Sequence, residues 1–338
     1  MITIAINGFG RIGRRVFRLA LEHPEIRVVG INDLADARTL SHLLKYDSIH
    51  GVLKDTVSYD ENHIIVNNVS IPLYSESHPK NINWSKVQPD FVVESTGKFK
   101  TKEDLQYHIT NGAKRVILSV PALEDDIKTI VLGVNDQSID GTETILSNAS
   151  CTTNNAAPMI ALIKAHLGIK QAYITTIHSY TTDQSLHDQP HKDLRRARAA
   201  GQSIVPTTTG AAKALTKIFP DLSEVIGGCG IRVPVANGSL TDITINVEKP
   251  TSIKEVNAIF KNAANNELKG ILEYTEDPIV SIDIVGNPHS CIFDSLMTSV
   301  IGNMVKIVGW YDNETGYSSR ILDLICNLSD KKARLSNK

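Results

Sequence analysis

Ile2-Thr3-Ile4-Ala5-Ile6-Asn7-Gly8-Phe9-Gly10-Arg11-Ile12-Gly13 opens the chain and decides how its first half is read. Ile2–Ile6 has the composition of a buried strand. Three glycines follow at G-x-G-x-x-G spacing, a helix is expected over Arg14–Glu22, and an apolar strand over Arg27–Ile31 ends at Asn32-Asp33. Glycine turns are common, and the three glycines alone decide little. Strand, glycine loop, helix, strand and an acid about 20 residues on together make the fingerprint of a dinucleotide-binding βαβ unit. Gly8 permits the turn, Gly10 admits a pyrophosphate to the backbone, and Gly13 lets helix and strand pack closely. The helix N-terminus then holds the phosphates. Asp33 would accept hydrogen bonds from ribose hydroxyls and repel a 2′-phosphate, favouring NAD over NADP.

Further strands are expected at Phe91–Glu94, Val116–Ser119, Thr129–Gly133 and Thr144–Leu146. They complete an open, mostly parallel sheet. From about Gln171 the strands lengthen and alternate: Ala172–His178, Ser239–Val247, Ile279–Ile284, Ser290–Asp294 and Val305–Tyr311. Ile243, Ile245 and Val247 face one way and Thr244, Asn246 and Glu248 the other, the pattern of an antiparallel sheet with one covered face. The fold class expected is α/β: an N-terminal Rossmann-type parallel sheet over 1–149, then an α+β catalytic domain with a mostly antiparallel sheet over 150–315. Residues 316–338, helical to about Leu328 and frayed beyond, would pack back on the first domain.

A chain of 338 residues is too long for one ordinary core, which agrees with two domains. Its net charge of −2 gives no bulk attraction to nucleic acid or an anionic membrane. The four cysteines are widely spaced and none stands at a metal-ligand spacing, so no metal is expected and the thiols read as free in a reducing compartment. The N-terminus runs straight into a strand without a basic, apolar leader, and no apolar run reaches membrane-spanning length. These features predict a cytoplasmic protein.

Asn148-Ala-Ser150-Cys151-Thr152-Thr153-Asn-Asn155 carries the chemistry. An apolar helix should begin at Cys151, with Ser150 as its N-cap. A thiol at a helix N-terminus meets unpaired N–H groups and the positive end of the dipole, which favour thiolate. The neighbouring hydroxyls offer donors to an oxyanion or phosphate. A cysteine nucleophile needs a base, and His178, at the end of an apolar strand and ahead of a hydroxyl-rich loop, is preferred over His191 and His289. Arg232, between Ile231 and Val233, must find an anion or stay unpaired. Pro206-Thr-Thr-Thr209-Gly210 precedes a helix over Ala211–Ile218, again a terminus suited to phosphate. The basic run from His191 to Arg198 is by itself an ordinary solvated face. Two phosphate-sized anions are expected, one on a substrate and one inorganic.

The chain closely resembles the phosphorylating glyceraldehyde-3-phosphate dehydrogenases of bacterial, glycolytic type. The resemblance rests on Ile-Asn-Gly-Phe-Gly-Arg-Ile-Gly (6–13), Leu-Lys-Tyr-Asp-Ser-Ile-His-Gly (44–51), Ser-Asn-Ala-Ser-Cys-Thr-Thr-Asn (147–154), Pro-His-Lys-Asp-Leu-Arg-Arg-Ala-Arg-Ala-Ala (190–200), Pro-Thr-Thr-Thr-Gly-Ala-Ala-Lys-Ala (206–214) and Trp-Tyr-Asp-Asn-Glu-Thr-Gly-Tyr (310–317). It implies that Cys151 forms a thiohemiacetal and then a thioester, with His178 as base and inorganic phosphate as the second nucleophile. Thr181 and Arg232 would hold the substrate phosphate, and Ser150, Thr152, Arg196, Thr209 and Gly210 the attacking one. Arg11, Ile12, Asp33, Ser77, Ser119 and Asn313 would contact NAD, Asn313 near its carboxamide. A homotetramer is implied, with residues 179–205 reaching a neighbouring subunit's cofactor.

The pattern also departs from the family. Asn155 stands where a second cysteine is usual, Gln189 replaces a common leucine, and Ser77-His78-Pro79 lacks a frequent arginine. Asn287-Pro-His-Ser290 resembles erythrose-4-phosphate dehydrogenases, the alternative activity, although Thr209-Gly210-Ala-Ala-Lys argues against that branch. A purely non-catalytic binding or adhesion role is disfavoured because Cys151, His178, Arg232 and the glycine loop are all retained.

Overall fold

Alternating strands and helices at the start of the chain build a largely parallel sheet. In a computed structural model describing residues 1–336, β1 (Ile2–Asn7) leads into α1 (Arg11–Glu22), β2 (Ile26–Asn32) and α2 (Ala37–Lys45). A small ribbon, β3 (Tyr46–Asp47) with β4 (Gly51–Val52), precedes the meander β5 (Val57–Tyr59), β6 (His63–Val66) and β7 (Val69–Tyr74). Then come β8 (Phe91–Glu94), α3 (Lys102–Thr110), β9 (Arg115–Leu118) and β10 (Ile145–Ser147). The sheet order is β10-β9-β8-β1-β2-β7-β6-β5, parallel from β10 to β7 and antiparallel over the last two pairings. Ile4, Ile6, Val92, Val93, Val116 and Ile117 are wholly buried, as central strands covered on both faces require.

The glycine loop is fixed by contact distances. Gly8 takes φ +90°, and a Cβ there would stand 2.7 Å from the Thr96 nitrogen. At Gly13 a Cβ would lie 2.2 Å from the Gly8 oxygen and 3.1 Å from Ile6 Cγ2, so only glycine lets α1 approach β1 this closely.

The chain divides into two compact units, one of residues 1–130, 136–149 and Ser318 onward, the other of 131–135 and 150–317. The second contains α4 (Cys151–Leu167), β11 (Ile169–Ser179), β12 (Val205–Thr207), α5 (Ala211–Ile218), β13 (Ile226–Val233), β14 (Ser239–Val247) and α6 (Ile253–Asn265). These are followed by β15 (Leu272–Thr275), β16 (Cys291–Asp294), β17 (Ser299–Ile301), β18 (Met304–Tyr311) and the start of α7 (Thr315–Ser336). Its sheet runs β12-β13-β11-β14-β18-β16-β15, with β17 on β18. Pairing is antiparallel except for β11 with β13 and β15 with β16.

Two expected strands do not form. Thr129–Gly133 makes only one bridge, Thr129 to Ser147, before the chain turns at Gly133 (φ +79°). Ile279–Ile284 is a series of turns: the Asp283 carboxylate accepts the Val280 N–H at 2.8 Å, and Val280 and Ile282 are exposed. Alternation without a partner strand leaves such a segment nothing to pair with. β13 and the β5–β7 meander lie outside the strands expected from sequence. α7 extends beyond Leu328 to Ser336 because Lys331 Nζ donates to the carbonyls of Asp136 and Ile139, at 2.7 and 2.9 Å. The final two residues of the expected 316–338 segment lie outside the described residues.

Candidate active site

The nucleophile candidate is set by a helix cap. Ser150 is extended (φ −119°, ψ 166°), and its Oγ accepts the Thr153 N–H at 3.1 Å, which starts α4 at Cys151. Just ahead, fully buried Ala149 has φ +56°. That conformation costs a non-glycine residue about 1 kcal/mol or more, and such strain concentrates where a functional group is held.

Cys151 Sγ lies 3.4 Å from His178 Nε2. His178 is the penultimate residue of β11, and its in-register neighbour on parallel β13 is Arg232. Arg232 Nη1 donates to the Ser179 carbonyl at 2.9 Å and also touches His178 Nδ1, 2.5 Å away. His178 Nδ1 is itself 2.7 Å from the same carbonyl. Nδ1 thus faces both a carbonyl and a guanidinium donor, and the tautomer follows whichever of the two it answers; a proton on Nδ1 is the form that leaves Nε2 as an acceptor facing the thiol.

Burial, with Arg232 next, depresses His178 to about 3, so the imidazole is neutral at pH 7. The thiol departs from expectation. Burial pushes Cys151 above its ordinary value; Arg232, the Thr152 hydroxyl and the N–H groups of the helix terminus pull it down without prevailing. The resting pair in the isolated chain is therefore thiol and neutral imidazole, because desolvation outweighs the helix terminus. Accordingly, the rate of Cys151 alkylation by iodoacetamide without NAD should climb steadily with pH through neutrality to about pH 9. A plateau already reached near pH 6 would contradict this.

The hydroxyls beside the thiol are engaged internally. Ser150 Oγ is bonded to Thr153 Oγ1 at 2.7 Å as well as capping the helix, and Thr152 Oγ1 meets Tyr311 Oη at 2.9 Å. Tyr311 Oη reaches Thr176 Oγ1 at 3.0 Å, tying α4, β11 and β18 together, and its ring packs edge-on against His178. Nothing in the sequence pattern assigns Tyr311 a role, although it stands in the quoted 310–317 motif. Asn155 is fully buried and donates to the Trp310 carbonyl at 3.2 Å.

Several predicted anion ligands cluster around one unforeseen residue, Asp183. Thr181 Oγ1 donates to it, and Arg196 pairs with its other oxygen. Burial pushes the Asp183 carboxyl up, but Thr181, Arg232 and Arg196 hold it below the usual carboxylate range. Arg196 also reaches Thr207 Oγ1 at 3.0 Å and the Thr208 carbonyl at 3.3 Å, next to Thr209 and Gly210 at the start of α5. In sequence Asp183 looks like any loop acid. His191 and His289 have other partners: the former accepts the Asp193 N–H, and the latter pairs with Glu273 at 2.9 Å. A cavity of about 800 Å³ lies at the far end of β11, lined by Gln171, Tyr173, Glu224 and Met304, and holds no thiol or imidazole.

On the first unit, the α1 terminus fits a dinucleotide. Gly10 is its N-cap with no side chain capping it, the first turn has no acid, and nothing lies within 4 Å of where a Gly10 Cβ would be. Arg11 pairs with Asp47 at 2.7 Å, and Ile12 is half-buried. Asp33 accepts the Phe9 N–H at 2.7 Å, tying the loop to the end of β2. Ser77 is exposed after β7, and Ser119 is buried after β9. Asn313 belongs to the second unit. Its Oδ1 accepts from Ser179 Oγ and Ser239 Oγ, both at 2.9 Å, and from the Gly238 N–H at 3.2 Å, which turns its amide Nδ2 into the available donor.

A dinucleotide-binding sheet followed by a unit carrying a thiol–imidazole pair defines an NAD-dependent oxidoreductase. Residues 2–102 match the family model described as glyceraldehyde 3-phosphate dehydrogenase, NAD binding domain, and 150–313 its C-terminal domain. Glyceraldehyde-3-phosphate dehydrogenase 1 of Bacillus cereus is 51% identical over 98% of this chain and 99% of its own. The enzyme of Geobacillus stearothermophilus is 52% identical over the same shares, and that of Thermotoga maritima 49% over 96% and 98%. The chain belongs to the glyceraldehyde-3-phosphate dehydrogenase family, and its cofactor is NAD. Among the described residues no helix is long and apolar enough to cross a membrane, and no group of three His, Cys, Asp or Glu is placed to hold a metal.

Proposed function

We propose that the protein converts glyceraldehyde 3-phosphate, NAD and inorganic phosphate to 1,3-bisphosphoglycerate and NADH through intermediates bound to Cys151. The observation that carries this reading is Cys151 Sγ at 3.4 Å from His178 Nε2, with Arg232 beside the imidazole. Sγ attacks the aldehyde carbon, and its proton passes through His178 Nε2 to the carbonyl oxygen, giving a thiohemiacetal. His178 then removes the hydroxyl proton as the carbon loses hydride. The chemistry NAD supplies when bound is acceptance of that hydride. A phosphate oxygen attacks the resulting thioester, the C–S bond breaks, and Cys151 leaves with the electron pair and regains a proton.

Thr181 and Arg232 hold the substrate phosphate. Arg196, Thr209 and Gly210 hold the attacking one, with Ser150 and Thr152 exchanging internal partners to join them. Arg11, Ile12, Asp33, Ser77 and Ser119 contact the dinucleotide, and Asn313 Nδ2 donates to its carboxamide. The domains divide at 149/150, and the enzyme works as a cytoplasmic, glycolytic homotetramer. The test is NAD reduction with glyceraldehyde 3-phosphate, with phosphate or arsenate present and then omitted. Turnover should collapse without the oxyanion. Slow turnover indifferent to it would move the assignment to erythrose-4-phosphate dehydrogenase.

A further inference from the structure

A buried polar chain beneath the glycine loop has no part in the chemistry above. Glu94, the last residue of β8, and His108, in α3, are both fully buried. Trp84 Nε1 donates to His108 Nδ1 at 3.0 Å, so the imidazole proton sits on Nε2 and is directed at Glu94 Oε2, 3.1 Å away. Asn7 Nδ2 donates to the same oxygen. Glu94 Oε1 accepts the Thr96 N–H at 2.9 Å and the Thr96 hydroxyl, which is itself occupied as acceptor by the Lys98 N–H at 3.1 Å. Four donors thus meet one carboxyl, which must act purely as an acceptor.

That requirement propagates in one direction. Asn7 spends its amide on Glu94, so its Oδ1 faces Asn32 and accepts from Asn32 Nδ2 at 2.7 Å. Asn32 Oδ1 is thereby turned to the Glu76 N–H, 2.9 Å away, and its Nδ2 also reaches the Glu76 carbonyl at 3.0 Å. The chain begins at the Glu94 carboxyl and ends on the backbone beside Ser77, having passed residues adjacent to Gly8 and Asp33. Ser95 adds a second tie, donating to the Gly8 carbonyl at 2.7 Å.

We propose that Glu94 is a positioning residue for the cofactor: as a four-fold acceptor it sets the orientation of the Asn7 and Asn32 amides and so holds the Gly8 loop, Asp33 and the Ser77 segment in their NAD-binding arrangement. The inference rests on the NAD reading of that loop. Glu94→Gln is the direct test, because it keeps the shape and gives one oxygen's place to an NH₂ donor that opposes Asn7 and His108 or Thr96. Calorimetric Kd for NAD and for ADP-ribose should each rise at least fivefold, with KM for NAD following. The rate of Cys151 alkylation without NAD and kcat at saturating NAD should stay within twofold. An NAD affinity within twofold of the parent, in a variant with parental secondary structure, overturns the proposal. If Glu94→Gln does not fold, Asn32→Asp, which sets a carboxylate against Asn7 Oδ1, is measured in the same way: a fivefold loss of NAD affinity is expected, and a change within twofold overturns the proposal. A parent protein that bound neither ligand would instead refute the cofactor reading.

Discussion

Cys151→Ser protein should fold as the parent does and lose phosphate-dependent NAD reduction by at least ~10⁴-fold in kcat. The substitution exchanges one atom on a residue whose backbone position is fixed by the Ser150 cap. A hydroxyl beside a neutral imidazole is a far weaker nucleophile than a thiol, which is deprotonated several pH units earlier. Its ester would also be a poorer acyl donor to phosphate than the thioester. The readout is NADH formation with phosphate present, alongside thermal unfolding. Turnover within tenfold of the parent, at unchanged stability, would remove Cys151 from the mechanism.

His178→Asn is the second large effect, expected to lower kcat by ~10²–10⁴-fold while leaving NAD binding intact. Asparagine keeps a polar atom near Arg232 but cannot take up and return a proton. The same variant reports on the depressed imidazole. Folded His178 stays neutral down to about pH 3, whereas the unfolded chain's histidine titrates near 6.5. Between those values the unfolded state binds a proton that the folded state refuses, so stability falls as pH drops through that window. Chemical denaturation of parent and variant at pH 7 and at about pH 4.5 should find a smaller acid loss in His178→Asn. Equal losses would mean that His178 is not held neutral.

The glycine loop, the Cys151 cap and the apolar face of β14 are all legible locally, because a turn, a helix start and a two-residue alternation are properties of adjacent residues. Arg232 stands out by its apolar flanks, but its place beside His178 is not legible. It depends on β13, whose Gly227, Gly228 and Gly230 read poorly as a strand. A Cβ at Gly228 would lie 2.7 Å from the Ile174 carbonyl, so those glycines answer to the neighbouring strand. The failure of Ile279–Ile284 to form a strand has the converse cause: alternation is present and a partner is missing. The thiol's raised pKa escapes a sequence reading for a similar reason. The helix terminus is written in the sequence, while the burial that outweighs it is assembled from β11, β13 and β18.

The β11–β13 ladder pairs His178 with Arg232 and His178's neighbours Ile177 and Ser179 with Ile231 and Val233. Side chains alternate across a strand, so a slip by one position would carry the guanidinium to the opposite face of the sheet. A single-residue insertion or deletion inside either strand therefore cannot loosen this constellation by degrees. Changes of length are compatible with this pairing in the loops on either side of the two strands, and side-chain exchange is compatible with it within them.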